Sequence, residues 1–205
     1  LNISNNTINT GYGDNGIYIY DVLDSNFTGN MINSPNENRY SWGFYIGYSS
    51  RCRFSENSIN VSHGDPIYMG GNEVSHFNHS IGSSNTVFGK PVYYYFNNNS
   101  QTIANVYDIG MMIVTASNNV TVRNITLDTG PLELYLVTNS TIEKINSSVS
   151  INGTGSIVVF YYNDNNTIKD SFVNLSSETT GISVYYSNST FRNNTIITNF
   201  NDSMG

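Results

Sequence analysis

The sequence is short of charge, of cysteine and of unbroken apolar stretches. Charged residues make up 11% of 205, with 8 Lys and Arg against 15 Asp and Glu. So few cations offer no basic stripe for a phosphate backbone, and no nucleic-acid partner is expected. Cys52 is the single cysteine. It excludes an internal disulfide framework and a cysteine-rich metal site. No run approaches the ~18 apolar residues of a membrane-spanning helix. No stretch has the spacing of an amphipathic helix. The first residue is Leu1, and a mature product or a fragment of something longer is expected. Leu1 and Gly205 fall partway through coils, so more chain or another subunit is expected at one or both ends.

What is abundant is asparagine, 34 residues, with 45 Ser and Thr. Aromatic residues at 13% argue against disorder. The phrase Asn165-Asn166-Thr167-Ile168 recurs as Asn5-Asn6-Thr7-Ile8, Asn139-Ser140-Thr141-Ile142 and Asn188-Ser189-Thr190-Phe191. Its apolar anchor returns at Ile8, Phe27, Phe54, Phe77, Ile103, Val122, Ile142, Ile168 and Phe191, a step of about 23 residues. A fixed period of this size marks a solenoid whose units stack on one another.

A second anchor precedes each of these by about 10 residues and opens an apolar-x-apolar triplet, as in Ile17-Tyr18-Ile19 or Ile182-Ser183-Val184. Period-two alternation is a strand with one face on a core. The expected inward column is Ile17, Phe44, Ile67, Val92, Met111, Leu132, Ile157 and Ile182. The chain therefore reads as all-β, a single parallel β-helix domain over residues 1–205 with about nine coils.

Segment Gly89-Lys90-Pro91-Val92-Tyr93-Tyr94 breaks the pattern. It is followed by an Asn-rich turn and by a coil running from Gly110-Met111-Met112-Ile113 to Asn119-Val120-Thr121-Val122-Arg123-Asn124. This arrangement resembles archaeal cell-surface β-helix proteins, the NosD-like group of carbohydrate-binding and sugar-hydrolase repeats. The resemblance implies a right-handed parallel β-helix at the cell surface, as does the usual hand of parallel connections. It does not specify a function, because the fold serves adhesins, surface-layer components, enzymes and accessory proteins alike.

Four surface features bear on function. The expected outward column reads Tyr18, Tyr45, Tyr68, Tyr93, Met112, Glu133, Val158 and Ser183, with Tyr20 and Tyr95 in the next one. Outward faces are normally polar, so the tyrosines are either a ligand platform for sugar rings or a face buried by a neighbouring subunit, domain or loop. A charge column, Arg123, Glu143, Lys169 and Arg192, reads as a cross-strand ladder, and Asp24 with Arg51 as a matching pair. The histidines His63, His76 and His79 do not converge, with His76 placed on a strand, and no metal or cofactor is expected. Asp21, Asp24 and Arg51 are the nearest thing to an acidic cleft. The carboxylate-rich motifs of polygalacturonase-like enzymes are absent, and no catalytic residue is assigned.

Sequons for N-glycosylation number sixteen, about twice the chance expectation at this composition. The candidates are Asn5, Asn26, Asn60, Asn78, Asn98, Asn119, Asn124, Asn139, Asn146, Asn152, Asn165, Asn174, Asn188 and Asn193, with Asn2 and Asn201 at the ends. Turns that favour Asn before strands that favour Thr also write sequons. The combined expectation is an extracellular structural or adhesive module of a cell-surface layer, stalk or filament. Its expected partners are other surface-protein subunits or domains, or a polysaccharide. Two alternatives are a carbohydrate-binding protein using the tyrosine face and a polysaccharide hydrolase or lyase. The low charge suits an acid medium, where ion pairs contribute little.

Overall fold

The structure is a computed structural model that describes residues 1–11, 14–35, 40–148, 156–159, 162–175 and 180–198. It is a parallel β-solenoid of about eight turns. Along the chain the first coils hold β1 (Asn2–Ser4) and β2 (Thr7–Asn9), then β3 (Ile17–Tyr20), β4 (Asn26–Thr28) and β5 (Met31–Ser34). The next coil holds β6 (Ser41–Gly47), β7 (Arg53–Ser55) and β8 (Ser58–Val61). A fourth holds β9 (Gly64–Gly70), a 3₁₀ turn (Val74–Phe77), β10 (Ser80–Ile81) and β11 (Thr86–Val87). Together they form a first stack.

Three inward columns fill this stack. Ile17, Phe44 and Ile67 are in register on one sheet. Ile3, Phe27, Phe54 and Ile81 share the second. Ile8, Ile32, Ile59 and Val87 share the third. The expected single column from Ile8 to Phe77 is thus two columns. Phe77 lies in the 3₁₀ turn, as does His76, which the alternation places on a strand. Phe27 and Phe54 stack at 4.9 Å, and Phe44 meets Phe54 edge-on at 5.3 Å. Such aromatic pairs contribute about 0.5–1.5 kcal/mol beyond their burial.

Asparagine closes the turns between the second and third sheets. The Nδ2 groups of Asn6, Asn30 and Asn57 donate in turn to Oδ1 of Asn30, Asn57 and Asn85, at 3.0, 3.0 and 2.7 Å. Each receiving Oδ1 also accepts the backbone N–H of the Asn that donates to it. A buried amide that stacks on its own kind satisfies every polar atom once per coil. Among the described residues, eight asparagines adopt positive φ, which Asn tolerates better than other non-Gly residues.

The stack does not continue into residue 90 as a fifth parallel rung. Phe88 (φ 48°) and Gly89 (φ 79°) are both left-handed and form a two-residue hairpin loop. It pairs Val87 with Lys90 and Thr86 with Pro91, antiparallel. From there the second stack begins: β12 (Lys90–Phe96), β13 (Thr102–Ile109), β14 (Met111–Thr115), β15 (Thr121–Leu127), β16 (Leu132–Tyr135) and β17 (Thr141–Ser147). It continues through β18 (Ile157–Val159), β19 (Asp164–Lys169), β20 (Phe172–Leu175), β21 (Ile182–Val184), β22 (Asn188–Arg192) and β23 (Thr195–Thr198). Strands β2, β5, β8, β11, β12, β14, β16, β18 and β21 form one continuous sheet shared by both stacks.

The hairpin exchanges the faces of that sheet. Directly opposed residues of an antiparallel pair point to the same side. Val87 points into the first core, so Lys90, Val92, Tyr94 and Phe96 lie on that side too. Register then carries this face through Met111, Ile113 and Thr115 to Glu133 and Tyr135, and on to Val158. The opposite face, Met112, Val114, Leu132, Leu134, Ile157 and Val159, becomes the core of the second stack. It packs toward Ile103, Val122, Ile142 and Ile168, which are in register on the facing sheet as expected.

Two expectations are corrected here. Met112, not Met111, pairs with Leu132, and Val92 and Met111 face the first stack rather than the second core. A slip of one residue moves every side chain to the other face. Tyr93 and Tyr95, expected outward, accordingly lie half-buried on the core side of the second stack.

Candidate functional site

Strands β14, β16 and β18 are buried on both faces, because the face away from their own core covers the end of the first stack. Tyr135 meets Phe77 at 5.5 Å. Its hydroxyl accepts the Met69 N–H at 3.2 Å and donates to Glu133 Oε2 at 2.8 Å. The Tyr94 hydroxyl donates to the Phe77 carbonyl. Burial raises the Tyr94 hydroxyl above its usual range. These contacts are the seam between the stacks.

Two carboxyl groups meet there. Glu133 of β16 is 0% exposed and Asp65 of β9 is 1% exposed. The two carboxyl groups act on each other there: Glu133 Oε1 is buried with no hydrogen-bond donor of its own among the described residues, and the Tyr40 hydroxyl donates to Asp65 Oδ2. Burial, and then the Asp65 charge, push the Glu133 carboxyl well above the usual carboxylate range. Burial, and then the Glu133 charge, likewise push up the Tyr135 hydroxyl.

Beside the seam opens a cleft of about 240 Å³ lined by Tyr45, Tyr48, Tyr68, Met69, Gly70, Gly71, Asn72, Tyr135 and Tyr162. One wall comes from the first stack and the other, Tyr135 and Tyr162, from the second. Tyr18, Tyr45 and Tyr68 are in register, as expected. Their rings stack on each other, Tyr18 on Tyr45 at 4.4 Å and Tyr45 on Tyr68 at 5.3 Å. Trp42 joins them, 4.9 Å from Tyr45 and 5.4 Å from Tyr68. Gly47 lets this row lie close to the sheet, since a Cβ there would stand 2.7 Å from the Tyr45 ring. Burial raises the Tyr45 hydroxyl, with Tyr18 adding to it.

The tyrosines of the outward column therefore spend much of their ring faces on one another. Tyr18 is 57% exposed and Tyr20 is 52% exposed, and both lie along the side of the first stack rather than in the cleft. The cleft adds Tyr48 and Tyr162, which the column reading omits. Tyr48 sits past the end of the triplet with a left-handed φ of 48°, and Tyr162 belongs to a turn of the second stack. Neither position shares the strand alternation that marks the other tyrosines.

The charged pairs take their expected places. Arg51 forks onto Asp24 with bonds of 2.8 and 2.7 Å, which lowers the Asp24 carboxyl. Arg123, Glu143, Lys169 and Arg192 are in register, and Lys169 reaches Glu143 at 3.0 Å. Lys90, just past the hairpin, bridges Asp108 at 2.6 Å and Asp128 at 3.0 Å. Among the described residues no three metal-ligating side chains cluster. His79 is buried, accepting the Cys52 N–H at Nδ1 and bonding the His76 carbonyl through Nε2. Burial lowers its pKa to about 4.

The sequon asparagines divide by what their amide nitrogens do. Asn60, Asn119, Asn124, Asn139, Asn165 and Asn193 donate through Nδ2 to the coil beside them. Asn5, Asn26, Asn78, Asn146 and Asn188 are exposed outside these ladders. Asn98 and Asn174 are half-exposed. Asn152 and Asn201 lie outside the described residues.

No protein-family model, curated protein or solved structure matches this chain.

Proposed function

We propose that this chain is an extracellular adhesive module, a stiff β-solenoid that holds a neutral polysaccharide in its tyrosine cleft. The observation that supports this most is the cleft itself, with tyrosine walls contributed by both stacks and a Gly70-Gly71 floor. Tyr and Trp rings offer flat apolar faces with polar rims, which suits sugar rings better than it suits a charged ligand. The resemblance of the Gly89–Tyr94 region to archaeal cell-surface repeat proteins points the same way. N-linked glycans belong in this reading on Asn5, Asn26, Asn78, Asn146 and Asn188, where a glycan would leave the Asn ladders intact.

The test is affinity electrophoresis against a panel of neutral and acidic polysaccharides. A neutral polymer should retard the protein, and replacing both Tyr48 and Tyr162 by Ala should weaken binding at least ~10-fold, about 1.4 kcal/mol, with the circular dichroism spectrum unchanged. Equal binding by that variant contradicts the cleft assignment. A specific observation favours a second reading, a purely structural role: the Tyr18–Tyr45–Tyr68 rings are already stacked on each other. Under that reading, replacing Tyr45 and Tyr68 by Ala abolishes self-assembly and leaves glycan binding unchanged.

A further inference from the structure

We infer that a single proton held between Glu133 and Asp65 clasps the two stacks together, and that the cleft is therefore a site formed in acid and opened in alkali. Two carboxyl groups can hydrogen-bond only when one of them carries a proton. Here they come from opposite sides of the seam, β16 and β9, and both are excluded from water. With the proton present, the pair is one neutral donor and one anion joined by a short-range bond. Without it, two buried anions face each other, and the cost falls on the contact between the stacks.

The groups that face Glu133 come from its own strand and from β9. From its own strand it faces Tyr135, whose hydroxyl already donates to Oε2. From β9 it faces Asp65, behind which stand Tyr40 and, 6.2 Å from the Tyr40 ring, His63. Tyr135 ties the pair to the cleft, because the same hydroxyl holds the Met69 N–H and both residues line the opening. Loss of the proton thus acts on the wall that contacts a ligand. The sign follows from the raised Glu133 carboxyl: its contribution is complete below the ordinary value of 4.5 and is lost as pH rises through the value in the folded protein. The inference rests on the function proposed above only for the nature of the ligand; the clasp stands without it.

Trp42 is the single tryptophan, in register with Asp65 and packed on Tyr45 and Tyr68, so its fluorescence reports on the cleft. The experiment follows Trp42 emission and the thermal midpoint from pH 5 to pH 9, for the wild type and for Glu133→Gln, without ligand. The amide keeps a donor toward Asp65 but cannot lose a proton. The wild type should show a Trp42 transition and a midpoint lower by roughly 5–10 °C at the alkaline end. Both changes should vanish in Glu133→Gln. Identical pH profiles for the two proteins overturn the clasp. If Glu133→Gln does not fold, a ¹³C carboxyl titration of the wild type decides. A Glu133 signal titrating above the ordinary carboxylate range supports the clasp, and one titrating near 4.5 overturns it. Polysaccharide affinity measured over the same range should fall with the Trp42 transition. A clasp that titrates while affinity stays constant overturns the coupling to the cleft. Absence of any polysaccharide binding, with the clasp intact, tells against the proposed function alone.

Discussion

Strands β3, β6 and β9 carry the same apolar-x-apolar triplet as β14, β16 and β18 but lie in a different sheet, and their second faces meet opposite fates. On the first set the residues between the core anchors are Tyr18, Tyr45 and Tyr68, stacked along the outside. On the second set they are Ile113, Glu133 and Val158, all buried. The difference arises at one turn. The hairpin at Phe88-Gly89 reverses the strand direction, exchanges the faces of the shared sheet, and lays the second stack over the end of the first. A repeat position fixes where a side chain stacks within its coil column; whether that column meets water depends on what the chain does several coils away.

The contrast can be broken most severely at the seam. Replacing Ile113 by Asp buries an unpaired carboxylate between two cores and should cost more than about 4 kcal/mol, read by urea unfolding. The matched change on the first stack, Tyr45→Asp, should cost about half of that or less, since the ring row borders solvent. Equal losses would mean that the two faces are equivalent.

A smaller effect separates the stacks by pH. His79 in the first stack titrates at about 4 against 6.5 in the unfolded chain. Its folded value is depressed, so protons bind the unfolded chain better. Stability should fall as pH drops from about 6.5 toward about 4, by about 3 kcal/mol over the full window. The seam acts in the other direction, losing stability as pH rises. The two together place the stability maximum at mildly acid pH, measured as the thermal midpoint across pH 4 to pH 9. His79→Gln should remove the acid limb and leave the alkaline limb.

Much of this is legible in the sequence. The period appears in the repeated Asn-Asn-Thr-Ile phrase, and the columns from Ile103 to Ile168 and from Tyr18 to Tyr68 follow from it. The Arg51–Asp24 and Lys169–Glu143 pairs follow as well, because in-register offsets put them side by side. The hairpin is harder to read. A two-residue turn with both residues left-handed usually announces itself with Asn-Gly or Asp-Gly, and here Phe88 holds the first place. Without it, Val92 and Met111 count naturally into the next rung, and every face assignment from Val92 to Met112 is inverted. The Asp65–Glu133 contact lies 68 positions apart in the chain, and it needs the seam before it can be seen at all. Tyr162 reaches the cleft from a turn, where no alternation marks it.

The exchange of faces is tested most directly by a thiol placed on the covered side. In a Cys52→Ser background, Val158→Cys should resist a maleimide in the native protein and react only on unfolding. Native-state labelling at the rate of an exposed thiol would show that this face meets solvent, as in an uninterrupted solenoid, and would contradict the two-stack arrangement.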